Sequence, residues 1–316
     1  MNQPIFCIGE LLIDFFSKDR NVNLVDSHTF TKRAGGAPAN VCAAIAKLGG
    51  NAHFCGKVGN DSFGDFLQNT LVQLNVNTNF LLKDPTHPTT LAFVSLQADG
   101  QRDFIFNRGA DAFLSIEEVP HHIFNTMKLV HFGSATALLP GTLQETYSRL
   151  LDAAKDNPCY ISFDPNFRSD LWKGQEAQFV NLARELIAKC DFLKVSDEEL
   201  LLLTNEVDMT KAVSALHSLG AKCIAVTLGK DGTFLSYKGE TTVIPSISIQ
   251  VVDTTGAGDA FVGATLYQLA KFEAPLSLSF SDWQEIVHFS NKVAAKVCEK
   301  IGAIDALPNL EEVQGI

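Results

Sequence analysis

Short apolar runs recur along this chain, most of them separated by stretches with helical periodicity. The spacing predicts strands over 5–13, 52–58, 128–132, 160–163, 192–195, 223–227 and 233–237. It predicts helices over 39–48, 63–74, 142–155, 197–204, 209–218, 257–271 and 282–299. In the last of these Ile286, Phe289, Val293 and Val297 recur at helical spacing. Strands that are apolar throughout and alternate with helices are buried on both faces. The expected fold class is therefore α/β, with a mostly parallel central sheet and helices on both faces. Two regions break the alternation. Residues 14–33 and 89–107 read as short β segments with polar loops, including a turn at Gly100. They are expected to form a small sheet standing off the main body as a lid, on a single domain spanning 1–316.

The 316 residues carry a formal net charge of −11. That balance argues against nucleic acid or an anionic membrane as partner, while leaving room for a small anionic ligand held by local cations. No apolar run reaches the ~18 residues of a membrane helix, and residues 5–13 lack the basic flank of a leader. The seven cysteines are odd in number and none are spaced C-x-x-C. Most sit in apolar runs, so free buried thiols in a reducing, cytoplasmic compartment are expected. There is no HExxH or Cys/His cluster for zinc, and the His121-His122 pair reads as an exposed pair.

One segment carries chemistry by itself. Asp253-Thr254-Thr255-Gly256-Ala257-Gly258-Asp259-Ala260-Phe261 is a glycine-rich turn entering an apolar helix. Small residues let a phosphate approach the backbone, and the first helical turn presents N–H groups without intrahelical partners. A carboxylate beside such an anion hole can take the proton from an attacking hydroxyl. The spacing is neither that of a P-loop nor that of the G-x-G-x-x-G dinucleotide fingerprint. A second segment, Ala34-Gly35-Gly36-Ala37-Pro38-Ala39-Asn40, places paired glycines before another helix.

These two segments, about 220 residues apart and in this order, resemble the two signatures of the ribokinase-like sugar kinases, the PfkB carbohydrate kinases. The likeness runs from Gly9 and Asp14 to Gly302-Ala303-Ile304. It implies Asp259 as catalytic base and Gly256, Ala257 and Gly258 as the anion hole. It implies Asp14, Gly35, Gly36 and Asn40 as sugar-hydroxyl contacts. Thr227, Gly229, Gly232 and Asn291 would form the nucleotide side. Glu199 would orient magnesium-bound water. Asp253 and Thr255, with carbonyls of Val297, Lys300 and Gly302, would hold potassium.

Within that family, Asp164-Pro165-Asn166-Phe167-Arg168 is similar to the D-P-N-x-R element of fructokinases and 2-keto-3-deoxygluconate kinases. It would put Arg168 near phosphates and substrate. Arg108, with Ala110-Asp111, and the run Lys194–Leu200 resemble fructokinases too, with Arg108 as a substrate contact. The chain departs from the wider family in having Ser196 in place of a common Asn, Asn107 in place of a Tyr, and Ala306 in place of a Ser. The resemblance implies an ATP-dependent kinase of a small sugar, with Mg²⁺ and K⁺ as cofactors and a homodimer formed through the lid. Its expected product is fructose 6-phosphate. Kinases of 2-keto-3-deoxygluconate, ribose or aminoimidazole riboside, and a non-catalytic sugar sensor, are the alternatives.

Overall fold

The computed structural model describes residues 3–19, 21–96 and 102–315. The turn expected at Gly100 and the side chains of His121 and His122 lie outside what is described. The nine-stranded main sheet begins with β1 (Ile5–Ile8), β4 (Ala52–Gly59) and β5 (Asn77–Asp84). It continues with β8 (Leu129–Phe132), β9 (Tyr160–Phe163), β10 (Phe192–Ser196) and β11 (Cys223–Thr227), and ends with β12 (Thr233–Tyr237) and β13 (Glu240–Ile244). The spatial order is β13-β12-β11-β10-β9-β8-β1-β4-β5. Pairing is parallel from β5 to β11, and β12 and β13 add an antiparallel edge.

Alternate residues of each parallel strand feed two separate cores. Phe6, Ile8, Val130, Ile161, Leu193 and Val226 pack under α3 (Thr142–Lys155), α5 (Glu176–Ile187), α6 (Asp197–Thr204) and α7 (Met209–Leu219). Ile5, Cys7, Leu129, Phe192 and Ala225 pack under α1 (Ala37–Lys47), α2 (Ser62–Gln73), α8 (Ala257–Leu269) and α9 (Phe280–Val297). This two-sided burial is why the parallel strands are mostly apolar on both faces, with the buried His131, Ser162 and Lys194 among the exceptions. Helices α1 and α8 come close because both are small at the crossing. A β-carbon at Gly263 would stand 2.6 Å from that of Ala44 and 2.8 Å from the Val41 carbonyl.

Four further strands form a second sheet in the order β3-β2-β6-β7. They are β2 (Leu12–Ser17), β3 (Phe30–Gly35), β6 (Leu91–Leu96) and β7 (Arg102–Asn107). Its back face docks on α2 through aromatic rings. Phe15 stacks on Phe93 at 5.0 Å and meets Phe63 edge-on at 5.7 Å. The front face presents Leu12, Asp14, Phe16, Val94, Phe104 and Phe106 to a cavity.

Three readings of the sequence need correction. The single strand expected over 5–13 is two strands in different sheets, because Gly9 (φ 145°) and Glu10 take the chain out of the main sheet between them. Asp14 therefore belongs to the second sheet. Strands β5 and β13 went unread, since both lie at sheet edges and mix polar with apolar residues. Helix α5 was missed as well; its apolar face is Phe179, Ala183, Leu186 and Ile187.

Candidate active site

Strand order reverses beside β1: the chain first winds outward through β4 and β5, then returns through β8 to β11 on the other side. Crossovers on either side of such a point diverge and leave a crevice at the strand C-terminal ends, where open α/β sheets bind ligands. Glu10 follows β1, and Ala135 and Thr136 follow β8; all three line a cavity of about 490 Å³. Its other walls include Asp14, Gly36, Asn40, Asn166, Arg168, Lys194, Gly256, Gly258 and Asp259. A second cavity of about 660 Å³ is lined by Gly229, Gly232, Asn291 and the apolar Ile247, Ile249, Val251 and Phe261. The two cavities meet, since Thr227, Thr254 and Gly258 line both.

Gly256 caps α8 with left-handed φ 77°, and Asp259 sits in the first turn, where the helix dipole favours a carboxylate. The Asp259 side chain is buried, and its Oδ2 accepts from Asn40 Nδ2 at 2.8 Å. Burial raises its pKa, against the pull of Arg168, Asn40 and Lys194. Asn40 comes from the first turns of α1, which starts after Gly36 (φ 109°). A β-carbon at Gly36 would press on the Glu10 carbonyl carbon at 3.0 Å, so this turn admits only glycine. Gly35 is not among the cavity-lining residues; a β-carbon there would fall 2.9 Å from Asp14 Cγ, so its bareness makes room for that carboxylate.

Asp164 ends β9 and starts the loop that carries Arg168. Its Oδ1 accepts from Asn166 N at 3.0 Å, and Asn166 takes a left-handed φ of 50°. Glu199 Oε1 then accepts from Phe167 N at 2.7 Å. This aims the exposed Arg168 at the cavity, close enough to draw down the pKa of both Asp14 and Asp259. Lys194 is buried with its Nζ 3.1 Å from Asp164 and 3.9 Å from Glu199. Burial alone would lower its pKa, but those carboxylates outweigh that and raise it. A β-carbon on Gly258 would be 3.2 Å from this ammonium, which puts a fixed cation beside the helix N-terminus.

Two residues that line the first cavity each keep a buried polar atom without a hydrogen-bond partner: Asn40 Oδ1 and Asn166 Nδ2. One is an acceptor and one a donor, and leaving either unpaired costs ~1–3 kcal/mol. Buried carboxyls are also held ready there. Glu10 Oε1 accepts from Ala37 N at 3.0 Å and Ala135 N at 3.2 Å, and Oε2 accepts from Ser134 Oγ. Burial pushes the pKa of Glu10 to about 7 and that of Asp14 to about 7.

Other expected site residues sit differently from the sequence reading. Arg108 is absent from the cavity lining. Its guanidinium donates to the Pro140 carbonyl at 2.8 Å and the Thr136 carbonyl at 2.9 Å, with Asp111 at 3.5 Å. In this structure it braces the loop after β8. Glu199 also lies outside the lining. Its Oε2 accepts from Ser196 N at 2.7 Å while Ser196 Oγ accepts from Glu199 N at 3.1 Å, a capping box that starts α6. Asn291 spends its amide on Thr233 Oγ1 at 2.7 Å and the Ile244 carbonyl at 3.0 Å, while still edging the second cavity. Asp253 Oδ1 accepts from Thr255 N at 3.0 Å, and Oδ2 from Gly302 N at 2.9 Å. Val297 uses its carbonyl on Lys300 N at 3.2 Å. Glu10, Asn166 and Lys194 had no assigned role in the sequence reading. The run Asp164–Arg168 signalled Asn166, and nothing local signalled Glu10.

A family model described as pfkB family carbohydrate kinase matches residues 2–310. The chain belongs to that family. It is 38% identical to probable fructokinase-4 of Arabidopsis thaliana, over 99% of this chain and 96% of the relative. The fold of this carbohydrate kinase is similar to fructokinase with bound ATP from Xylella fastidiosa. The TM-score is 0.89 at 29% identity, covering 100% of this chain and 98% of the other. A double-mutant fructokinase from Vibrio cholerae O395, bound to fructose, ADP and potassium, matches with TM-score 0.87 at 28% identity, covering 99% and 97%.

Raised carboxyl pKa values carry a consequence for stability. Unfolded aspartate holds its proton to about pH 3.9, whereas Asp14 holds it to about 7 in the fold. The folded state thus binds more protons in between. This group's contribution is fully present below pH 4 and is lost as pH rises through 7. Replacing Asp14 by Asn should raise the melting temperature of the ligand-free protein by a few degrees at pH 8, ~2–4 °C per kcal/mol. The gain should be much smaller at pH 5. Equal shifts at both values would contradict this account of Asp14.

Proposed function

We propose that this carbohydrate kinase is a fructokinase that transfers the γ-phosphoryl group of ATP to the 6-hydroxyl of fructose. The supporting observation is the meeting of a polar and a more apolar cavity at Thr227, Thr254 and Gly258, one side chain away from Asp259. A hydroxyl donor enters from one side and a nucleotide from the other, and they touch only at the helix N-terminus. Positioning of this kind supplies most of the acceleration in phosphoryl transfer.

In this reading Asp259 accepts the proton of the attacking hydroxyl, with a raised pKa that suits a base working near neutral pH. Asn40 holds the carboxylate. Asp14, Gly36 and Asn40 line the side that takes the sugar hydroxyls. The N–H groups of Gly256, Ala257 and Gly258, with Arg168 and Lys194, stabilise charge on the transferring group. Thr227, Gly229, Gly232 and Asn291 edge the nucleotide side, and Ile247, Ile249 and Val251 offer it an apolar wall.

Among the described residues no group of three or more His, Cys, Asp or Glu side chains is arranged to hold a metal. Magnesium would arrive on the ATP phosphates, with Glu199 as the nearby acidic group. When bound, magnesium neutralises phosphate charge. The potassium expected at Asp253, Thr255 and the carbonyls of Val297, Lys300 and Gly302 suits a donor set of hard oxygens. Asp253 already ties both halves of that set together.

A neutral sugar suits the first cavity better than an acid. Glu10, Asp14, Asp170 and Asp259 line it against Arg168 and Lys194, and Lys194 is committed to Asp164. Initial rates across fructose, 2-keto-3-deoxygluconate, ribose and aminoimidazole riboside should be highest with fructose. A higher kcat/KM for any of the others would replace it as the substrate. Asp259→Asn should lower kcat by about 10²–10⁴-fold with fructose affinity retained. A loss under tenfold would remove Asp259 as the base.

The reading includes a reducing, cytoplasmic setting, which the free cysteines support; six of the seven are buried. It also includes a homodimer through the lid, supported by the half-buried rings of Phe16, Phe104 and Phe106 on its cavity face. Sedimentation at micromolar concentration should give twice the chain mass, and Phe104→Asp should reduce it to one. A monomeric wild-type chain would strike the dimer from the reading.

A further inference from the structure

Arg33 lies in β3 directly opposite Asp14 of β2, so it stands on the lid sheet next to a cavity-lining carboxylate. Its guanidinium leaves that sheet and crosses to the last turn of the main body. There Nη1 donates to the Ile301 carbonyl at 2.8 Å, with the exposed Asp305 at 3.7 Å. The next residue, Gly302, is left-handed at φ 98°, a conformation that favours glycine. A β-carbon there would fall on the guanidinium, 3.1 Å from Cζ. Gly302 N in turn donates to Asp253 Oδ2 at 2.9 Å, and Asp253 Oδ1 accepts from Thr255 N at 3.0 Å and Thr255 Oγ1 at 2.7 Å. A second prong reaches the same place: a β-carbon on Gly256 would stand 2.6 Å from Ala303 Cβ.

The links are the hydrogen bonds from Arg33 to Ile301, from Gly302 to Asp253 and from Thr255 to Asp253, and the close approach of the Gly256 backbone to Ala303. They join lid strand β3 to the loop whose N–H groups open helix α8. We infer that Arg33 is a positioning residue that couples the lid to the anion hole, setting Thr255 and Gly256 for phosphoryl transfer only while β3 is in place. The ion pair with Asp305 is exposed and contributes little by itself. The carbonyl hydrogen bond and the fit over Gly302 carry the coupling. A lysine at 33 keeps the charge but not the planar guanidinium that lies against Gly302.

The inference rests on the kinase reading and is tested apart from it. Steady-state rates with fructose and ATP are compared for wild type, Arg33→Ala, Arg33→Gln and Arg33→Lys. Because misplacement of about 1 Å can cost ~10²-fold, Arg33→Ala and Arg33→Gln should lose roughly tenfold or more in kcat. Their KM for fructose should stay within about threefold, and Arg33→Lys should recover part of the rate. Calorimetry then measures ADP alone and ADP with aluminium fluoride, a mimic of the transferring phosphoryl group. ADP affinity should hold within about twofold, while affinity for the mimic should fall about as far as kcat. A kcat within twofold of wild type, or a loss confined to melting temperature or fructose KM, overturns the coupling. Should Arg33→Ala not fold, Arg33→Gln and Arg33→Lys carry the same comparison. The binding arm needs no turnover, so a wild type inactive on fructose would sink the fructose reading and leave this inference to its own result.

Discussion

The hydrogen bond from Asn40 to Asp259 joins residues 219 positions apart, and the site depends on it. It requires α1 and α8 to begin side by side, which needs a close crossing further along their lengths. Gly263 against Ala44 and Val41 supplies that crossing. It also requires both helices to start at the C-terminal edge of the sheet, which parallel pairing of β1 and β4 enforces for α1. The two glycine-rich turns are the outcome of this constraint. Each ends at a helix N-terminus, and each has its residue types set by how closely the other segment approaches.

The cost of that arrangement shows in the carboxyls. Glu10 and Asp14 are held where burial pushes their pKa values to about 7, and Asp164 to about 6. Asn40 and Asn166 each leave a polar atom unpaired. A core chosen for stability alone would carry none of these. Their common feature is that they line or border one cavity and present acceptors and donors of both kinds, which a polyol satisfies.

Much of the architecture was legible in the sequence because its period is local. Strands buried on both faces, and helices such as α3 and α9 with one apolar stripe, announce themselves within ten residues. The strand break at Gly9-Glu10 was not legible. An apolar run with one glycine reads the same whether it continues in one sheet or passes to another. Site residues divide along the same line. Asp259 and Asn40 lie in turns whose composition is unusual by itself. The partners of Arg108 were not legible, because an arginine after a strand says nothing of where its donors are spent, and two carbonyls of another loop accept from them. Glu10 and Arg33 went unread for the converse reason. Each acts through partners more than a hundred residues distant or on the far side of the fold.

The lid adds a constraint that the main sheet cannot impose. Its strands attach at both ends to residues that also shape the sugar cavity: Thr90 and Arg108 converge on Asp111, and Thr136 donates to the same carboxylate at 2.8 Å. Thr136 itself lines the cavity. At the other end, Arg33 grips Ile301. The first anchor is buried and the second, from Arg33 to Ile301, is exposed; they lead to the first cavity and to the turn that opens α8 respectively. On the proposed reading a sugar touching Asp14 and the aromatic face of the lid sheet would hold it from within, as a water molecule could not. Discrimination between a hydroxyl of the substrate and water would then follow from where that sheet is fastened, not from Asp259, which as a base would accept a proton from either.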